Sequence, residues 1–323
     1  MKSLYVTKES TLKRKDNTLV IETPGTTMFF PIHTVQTIHV FGNVQMNKTL
    51  LNLLNTHGTL VFYYSRQGSY IGAFIPPFNK QGTLILKQAA AYACLQTRLN
   101  IAKSILITAT DNIISNVKYY KQYLHAHKDV SLFITHCKTR MENAKDIQTL
   151  RALEGMVRQK YYRQFDLILR NPGFVFAKRS YRPPNNNVNA LISLLNTLLY
   201  RTIESLIHAS KMHIAIAYLH TSNTRHASLN LDIAEIFKPI IVDRLVFRLI
   251  NLAMVKPNHF NGTQLTQEGL KIVLQAYDER IHQVLSINQT KRSYIHFIRK
   301  DIYTLQNHLT KNTPLKFFLK RDH

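Results

Sequence analysis

Chemistry could sit in three segments of this chain. In Ala217–Arg244, AYLHTSNTRHASLNLDIAEIFKPIIVDR, His220 ends an apolar segment, and Asp232 and Glu235 lie three residues apart in what reads as a helix start. Residues three apart share a helix face, so both carboxylates can point at one spot. One imidazole with carboxylate oxygens suits Mn²⁺ or Mg²⁺ at a phosphoryl-transfer site. The same residues also fit a buried histidine beside a charged first helical turn, which the helix dipole favours. In the second segment, Glu154 precedes Arg158, Lys160, Arg163 and Arg170, with Tyr161, Tyr162 and Phe165 between them. Cations interleaved with aromatics suit a phosphate backbone with splayed bases. The plainer alternative is an amphipathic helix whose rings are core. In the third segment, RPPNNNVNAL at 182–191, tandem prolines force an extended entry. Asn185, Asn186, Asn187 and Asn189 beside Arg182 either cap the next helix or reach a nucleic-acid backbone.

Charge narrows the choice. The chain has 323 residues, with 42 Lys and Arg against 18 Asp and Glu, a net charge of +24. Such a surplus points to a polyanionic partner, nucleic acid foremost. No carboxylate lies between Glu22 and Asp111, so chemistry that needs acids must come after residue 111. Two cysteines, Cys94 and Cys137, exclude a disulfide scaffold and lack zinc-site spacing. The N-terminus has no apolar signal core, and no uninterrupted apolar run approaches a membrane span of about 18 residues, so the expected compartment is the cytoplasm.

Two kinds of element must position these residues. Up to residue 76 the chain reads as short strands (LYVT, TLVIET, TMFFPI, TIHVF, TLVFYYS, SYIGAFI) separated by turn residues. NKTLLNLLNT at 47–56 suits a helix capped by Asn47. From Leu84 the apolar period becomes 3.6. One long or two nearly continuous helices are expected first, then others at 145–169, 187–209, 230–252, 266–286 and 289–309. The expected fold class is α+β: a small β-rich domain (1–76), a linker (77–83) and a larger all-α domain (84–323).

The three segments together resemble the CRISPR-associated protein 1 family, the metal-dependent DNA endonuclease and integrase of spacer acquisition. LEGMVRQKYY at 153–162, RPPNNNVNALISLLNTLLY at 182–200 and AYLHTSNTRHASLNLDIAEIFKPIIVDRLV at 217–246 carry the resemblance, which is closest in flavour to type I-B members. Residues 33–77 look like the family's N-terminal β domain. The resemblance implies that Glu154, His220 and Glu235 bind Mn²⁺ or Mg²⁺ and that Asp232 supports the catalytic site. It also implies a homodimer joined through the β domains, a dimer of the small CRISPR-associated protein 2 as partner, and insertion of a short duplex into a CRISPR repeat by attack of a 3′-hydroxyl. Arg158, Lys160, Arg163, Arg182, Arg225, Lys238 and Arg248, with the basic stretches 156–182 and 280–323, are expected on DNA. The sequence departs from the family where EEFRP is usual and this chain reads Glu235-Ile236-Phe237-Lys238-Pro239. It departs again where RPPxDPVNAL becomes RPPNNNVNAL. A transposon-type integrase with the same residues and a non-catalytic basic nucleic-acid binder are the rival readings.

Overall fold

The computed structural model describes residues 2–77, 82–181, 183–220, 227–287 and 290–320. They fall into two compact units, Met1–Asn79 and Lys80–His323. The first unit runs β1 (Lys2–Val6), β2 (Ser10–Lys15), β3 (Thr18–Thr23), β4 (Thr26–Pro31), β5 (Val35–Val40), β6 (Val44–Met46), α1 (Lys48–His57), β7 (Leu60–Tyr64) and β8 (Tyr70–Phe74). The strands form two four-stranded sheets, β1-β5-β7-β8 and β4-β3-β2-β6. Leu12, Leu19, Ile21, Ile38, Leu50, Leu53, Leu54 and Val61 fill the core between them. The helix start is fixed as its sequence predicts: the Asn47 side chain accepts from the Leu50 N–H, and Gly58 closes the helix at φ 65°. β2 is a central strand that the sequence reading missed. Its outward residues Lys13, Arg14 and Lys15 hide the alternation, while Ser10 and Leu12 point inward. The short β6 was missed as well.

The second unit is mostly helical. It contains α2 (Gly82–Ala93), α3 (Leu95–Tyr119), α4 (His127–Glu142), α5 (Ile147–Tyr162), α6 (Phe165–Ile168), α7 (Asn187–Ala209), α8 (Leu229–Phe237) and α9 (Arg244–Asn251). A two-residue ribbon follows, β9 (Phe260–Asn261) with β10 (Gln264–Leu265), then α10 (Gln267–His282), a hairpin of β11 (Val284–Ile287) with β12 (Thr290–Ser293), and α11 (Tyr294–Lys311). The expected first helix is two, broken at Cys94. The helix expected at 145–169 divides into α5 and α6. Two corrections concern whole elements. α4 was not foreseen, because only Val130, Ile134, Cys137 and Met141 form its buried stripe among polar neighbours. The hairpin occupies the span where two helices were expected to meet, so this unit is not purely α.

α7 is long and apolar enough to cross a membrane, but 72% of its apolar window is buried inside the fold, as suits a central core helix. Around it lie α8, α9 and α11. Between α8 and α9 the backbone opens into a π-helical stretch, Lys238–Asp243. Pro239 causes it in part: proline has no N–H to give the carbonyl four residues earlier, which belongs to Glu235. Two buried asparagines on α3 serve this region. Asn112 donates to the Ile236 carbonyl at 2.9 Å and Asn116 to the Pro239 carbonyl at 2.6 Å. Asn116 also donates to the Tyr161 hydroxyl at 2.9 Å and accepts from Arg244 Nε at 2.6 Å. The end of α8 is thereby tied to α3, α5 and α9.

Candidate functional site

Asp232 lies on α8 and is fully buried. Its carboxylate gathers the chain that ends at His220. Oδ2 accepts from the N–H groups of Tyr218 and Leu219 at 2.6 and 3.0 Å, and Oδ1 accepts from the N–H of His220 at 3.0 Å. The same Oδ1 lies 2.7 Å from His220 Nδ1. A carboxylate so placed draws the proton to Nδ1 and leaves Nε2 with its lone pair. Nε2 stands 4.0 Å from Glu235 Oε1. Arg98 braces the segment from elsewhere, donating from Nε to the Tyr218 carbonyl at 2.9 Å. Burial lowers the His220 pKa, but the bond to Asp232 and the charges of Asp232 and Glu235 outweigh it and hold the imidazole above its ordinary value.

Glu235 follows Asp232 by three residues and shares its side of α8. Its oxygens are both engaged: Arg158 Nη2 meets Oε2 and Lys238 Nζ meets Oε1, each at 2.5 Å. Burial alone would push this carboxyl up. Lys238, Arg158 and His220 instead hold it well below the usual carboxylate range. Glu154, one turn before Arg158 on α5, goes the other way. Burial and then the nearby charge of Glu235 push it up, with Arg158, Lys238 and His220 opposing. Two carboxylates whose charges disfavour each other, beside the Nε2 of His220, make an arrangement that a cation would relieve.

Among the described residues no three His, Cys, Asp or Glu side chains converge as a ready-made metal centre. Arg158 and Lys238 instead take the oxygens of Glu235. The donor set nonetheless fits a hard or borderline divalent ion: one imidazole, two carboxylates and a buried partner that orients the imidazole.

Glu154 and Arg158 open onto a cavity of about 1200 Å³. Its walls carry Arg98, Arg151, Arg158, Arg163, Lys178 and Arg179, with Glu154 the one acid among the described residues that line it. Arg158 Nη1 is buried with no hydrogen-bond partner among the described residues. Arg179 is held by Asn189 Oδ1 at 2.8 Å and Ser193 Oγ at 3.1 Å, and its guanidinium stacks 4.3 Å from the Tyr181 ring.

The structure thus brings His220, Asp232 and Glu235 together and sets Glu154 within their electrostatic reach. Of the cations expected on DNA, Arg158 and Arg163 line the cavity. Lys238 is spent on Glu235 and lies 5.2 Å over the Tyr200 ring. Lys160 sits 5.5 Å over Phe133 and is not among the cavity walls, and Arg248 is exposed on α9. Arg182 and Arg225 lie outside the described residues. The rings of Tyr161 and Phe165 are core, as the plainer reading has it. The amides act on their own loop: Asn186 caps α7 by accepting from the Asn189 N–H at 2.8 Å, and Asn189 donates to the Lys178 carbonyl at 2.8 Å. Lys178 and Arg179 belong to the basic stretch 156–182 expected to track the duplex, whereas Arg98 and Arg151 were not foreseen. Only the carboxylate-free stretch around Arg98 signalled an unneutralised cation.

Comparison with known proteins identifies the family and the fold. The family described as CRISPR associated protein Cas1 matches residues 4–279. A CRISPR-associated endonuclease Cas1 from Thermodesulfovibrio yellowstonii is 40% identical over 98% of this chain and 98% of its own. A solved Cas1 protein from Thermotoga maritima superposes with a TM-score of 0.87 at 33% identity, covering 99% of this chain and 100% of its own. A chain from a Cas6-RT-Cas1–Cas2 complex shares the fold, with a TM-score of 0.86 at 19% identity over 99% of this chain and 36% of its own. On the family match and the near-complete coverage at 40% identity, the chain belongs to the CRISPR-associated Cas1 endonuclease family.

Proposed function

We propose that this protein is a metal-dependent integrase that inserts short foreign DNA into a CRISPR array in the cytoplasm. One observation carries the reading: Asp232 holds His220 through Nδ1, which leaves Nε2 4.0 Å from Glu235 at a site shared with Glu154. Glu154, His220 and Glu235 would hold Mn²⁺ or Mg²⁺, which when bound activates the attacking hydroxyl and offsets charge on the transferring phosphate. The rest falls to the side chains. Asp232 fixes the imidazole tautomer and keeps its own charge out of water. Arg158 holds Glu235 in place and adds its positive charge to the cavity wall. The six cations of the cavity walls track the strand that carries the 3′-hydroxyl. The 3′-oxygen forms the new P–O bond while the repeat's own 3′-oxygen leaves, so no external energy source is needed.

The assembly we propose is a homodimer joined through the β unit and bound to a dimer of the small Cas2 protein. The exposed Phe29 on edge strand β4 and Ile71 on edge strand β8 support the first contact. The fold neighbour solved in a Cas1–Cas2 complex supports the second.

The test is integration of a duplex with free 3′-hydroxyls into a supercoiled plasmid carrying a repeat. Mn²⁺ should support joining and EDTA abolish it. Glu154→Ala, His220→Ala and Glu235→Ala should each abolish joining while DNA binding persists. Joining that survives EDTA, or near-normal joining by Glu154→Ala, overturns the reading in favour of a basic binding protein.

A further inference from the structure

Residues 313–320 leave α11 and run as irregular backbone. They are not loose. Phe317 and Phe318 are buried. The Phe318 ring stacks on Phe237 at 5.9 Å with 6° between the planes, and on Phe297 at 4.2 Å. Its N–H donates to both oxygens of the buried Asp301, at 3.1 and 2.9 Å. Phe237 is two residues from Glu235, about 200° around the helix, so the stack braces the back of α8 while Glu235 faces the site.

Asn112 joins the same pieces by hydrogen bonds. Its Nδ2 donates to the Ile236 carbonyl at 2.9 Å and to the Phe318 carbonyl at 3.1 Å. Its Oδ1 accepts from the Lys320 N–H at 2.9 Å. One buried amide therefore binds the turn that carries Glu235 and two points of the segment 318–320. This occurs where α8 passes into the π-helical stretch and Glu235 has lost its proline donor. The place where α8 needs outside support is the place where this segment supplies it.

We infer that residues 313–320 form a strap that positions Glu235, with Phe318 and Asn112 as its positioning residues. Neither touches the reacting atoms. They act by fixing where α8 presents its carboxylate. The inference rests on the proposal that Glu235 takes part in the reaction.

The experiment compares wild type, Phe318→Ala, Phe318→Leu, Asn112→Ala and a chain ending at Asn312, with Glu235→Ala as control. Thermal melts report folding, Mn²⁺ titrations followed by electron paramagnetic resonance report the site, and integration kinetics separate kcat from KM. Phe318→Ala and Asn112→Ala should weaken Mn²⁺ binding and lower kcat by about tenfold, the scale of lost support around a metal ligand. KM for DNA should stay unchanged, and Phe318→Leu should recover most of the loss. A synthetic peptide of residues 313–323 added to the shortened chain should restore Mn²⁺ affinity, and its Phe318→Ala form should not. Folded variants with wild-type Mn²⁺ affinity and kcat overturn the strap. Loss of the cooperative melt in Phe318→Ala and Phe318→Leu alike also overturns it, because the segment would then be ordinary core. The underlying reading fails separately, if Glu235→Ala itself binds Mn²⁺ and joins DNA normally.

Discussion

Asp232 and His220, twelve residues apart in sequence, meet through one carboxylate oxygen that serves both the ring nitrogen, at 2.7 Å, and the backbone N–H of the same histidine, at 3.0 Å. Asp232→Asn keeps the shape and an acceptor but removes the charge that favours the proton on Nδ1. Strand joining should fall by about 10- to 100-fold with DNA affinity unchanged. Asp232→Ala leaves three backbone N–H groups without their acceptor and should also lower unfolding free energy by about 3 kcal/mol or more. Urea melts of the two variants separate the effects. Equal stability losses would count against the tautomer argument.

Arg158 and Lys238 share the charge of Glu235. Arg158→Met leaves a buried carboxylate with one partner fewer and should destabilise the metal-free protein by about 3 kcal/mol. Mn²⁺ should recover part of that loss, because a divalent ion can stand in for the missing cation. Melting temperatures with and without Mn²⁺ check this. An Mn²⁺-induced rise no greater than in wild type would contradict it.

The cavity cations should act on affinity rather than sequence choice. Arg151→Ala, Arg163→Ala and Lys178→Ala should each reduce the slope of log K against log salt by about 1, equally for unrelated duplexes. A loss confined to one sequence would mean that the residue reads bases.

The Asp301 carboxyl is pushed up to about 8, chiefly by burial, against an ordinary 3.8. The folded state therefore keeps a proton that the unfolded chain has already released. Stability from this group is complete below pH 3.8 and declines as pH rises to about 8, by up to about 1.4 kcal/mol per pH unit. Asp301→Asn retains an acceptor for the Phe318 N–H and cannot ionise. Its melting temperature should exceed that of wild type at pH 8 and approach it near pH 4. Parallel curves across this range would refute the assignment.

Phe29→Asp with Ile71→Asp should convert a dimer to a species of 37.4 kDa in light scattering without lowering the melting temperature of the helical unit. A wild type already at that mass would remove the proposed β-unit contact.

Much of the site was legible because its chemistry is local in sequence. Asp232 and Glu235 sit at helical spacing, and His220 is close by. What could not be read is long-range. Nothing near Arg98 tells that it reaches the Tyr218 carbonyl 120 residues away, nor that Asn112 reaches Ile236, 124 residues away. The core helix α7 was legible to the residue because Asn186 caps it and its apolar face is broad. α4 was not, because a narrow stripe among polar residues carries a weak period. The hairpin β11–β12 escaped for a related reason: its exposed faces hold Ser286, Lys291 and Arg292, which have little strand propensity.

Asn112 bonds to residues as far along the chain as Lys320, a separation of 208 positions. During synthesis the N-terminal β unit and α3 emerge long before that partner exists, at roughly 5–20 residues per second. A nascent chain still within the ribosome can fold its β sheets and bind nucleic acid through its cations, but α8 lacks its rear support until residue 320 is free. The Glu235 carboxylate, proposed above to bind metal, is therefore positioned only after residue 320 has emerged.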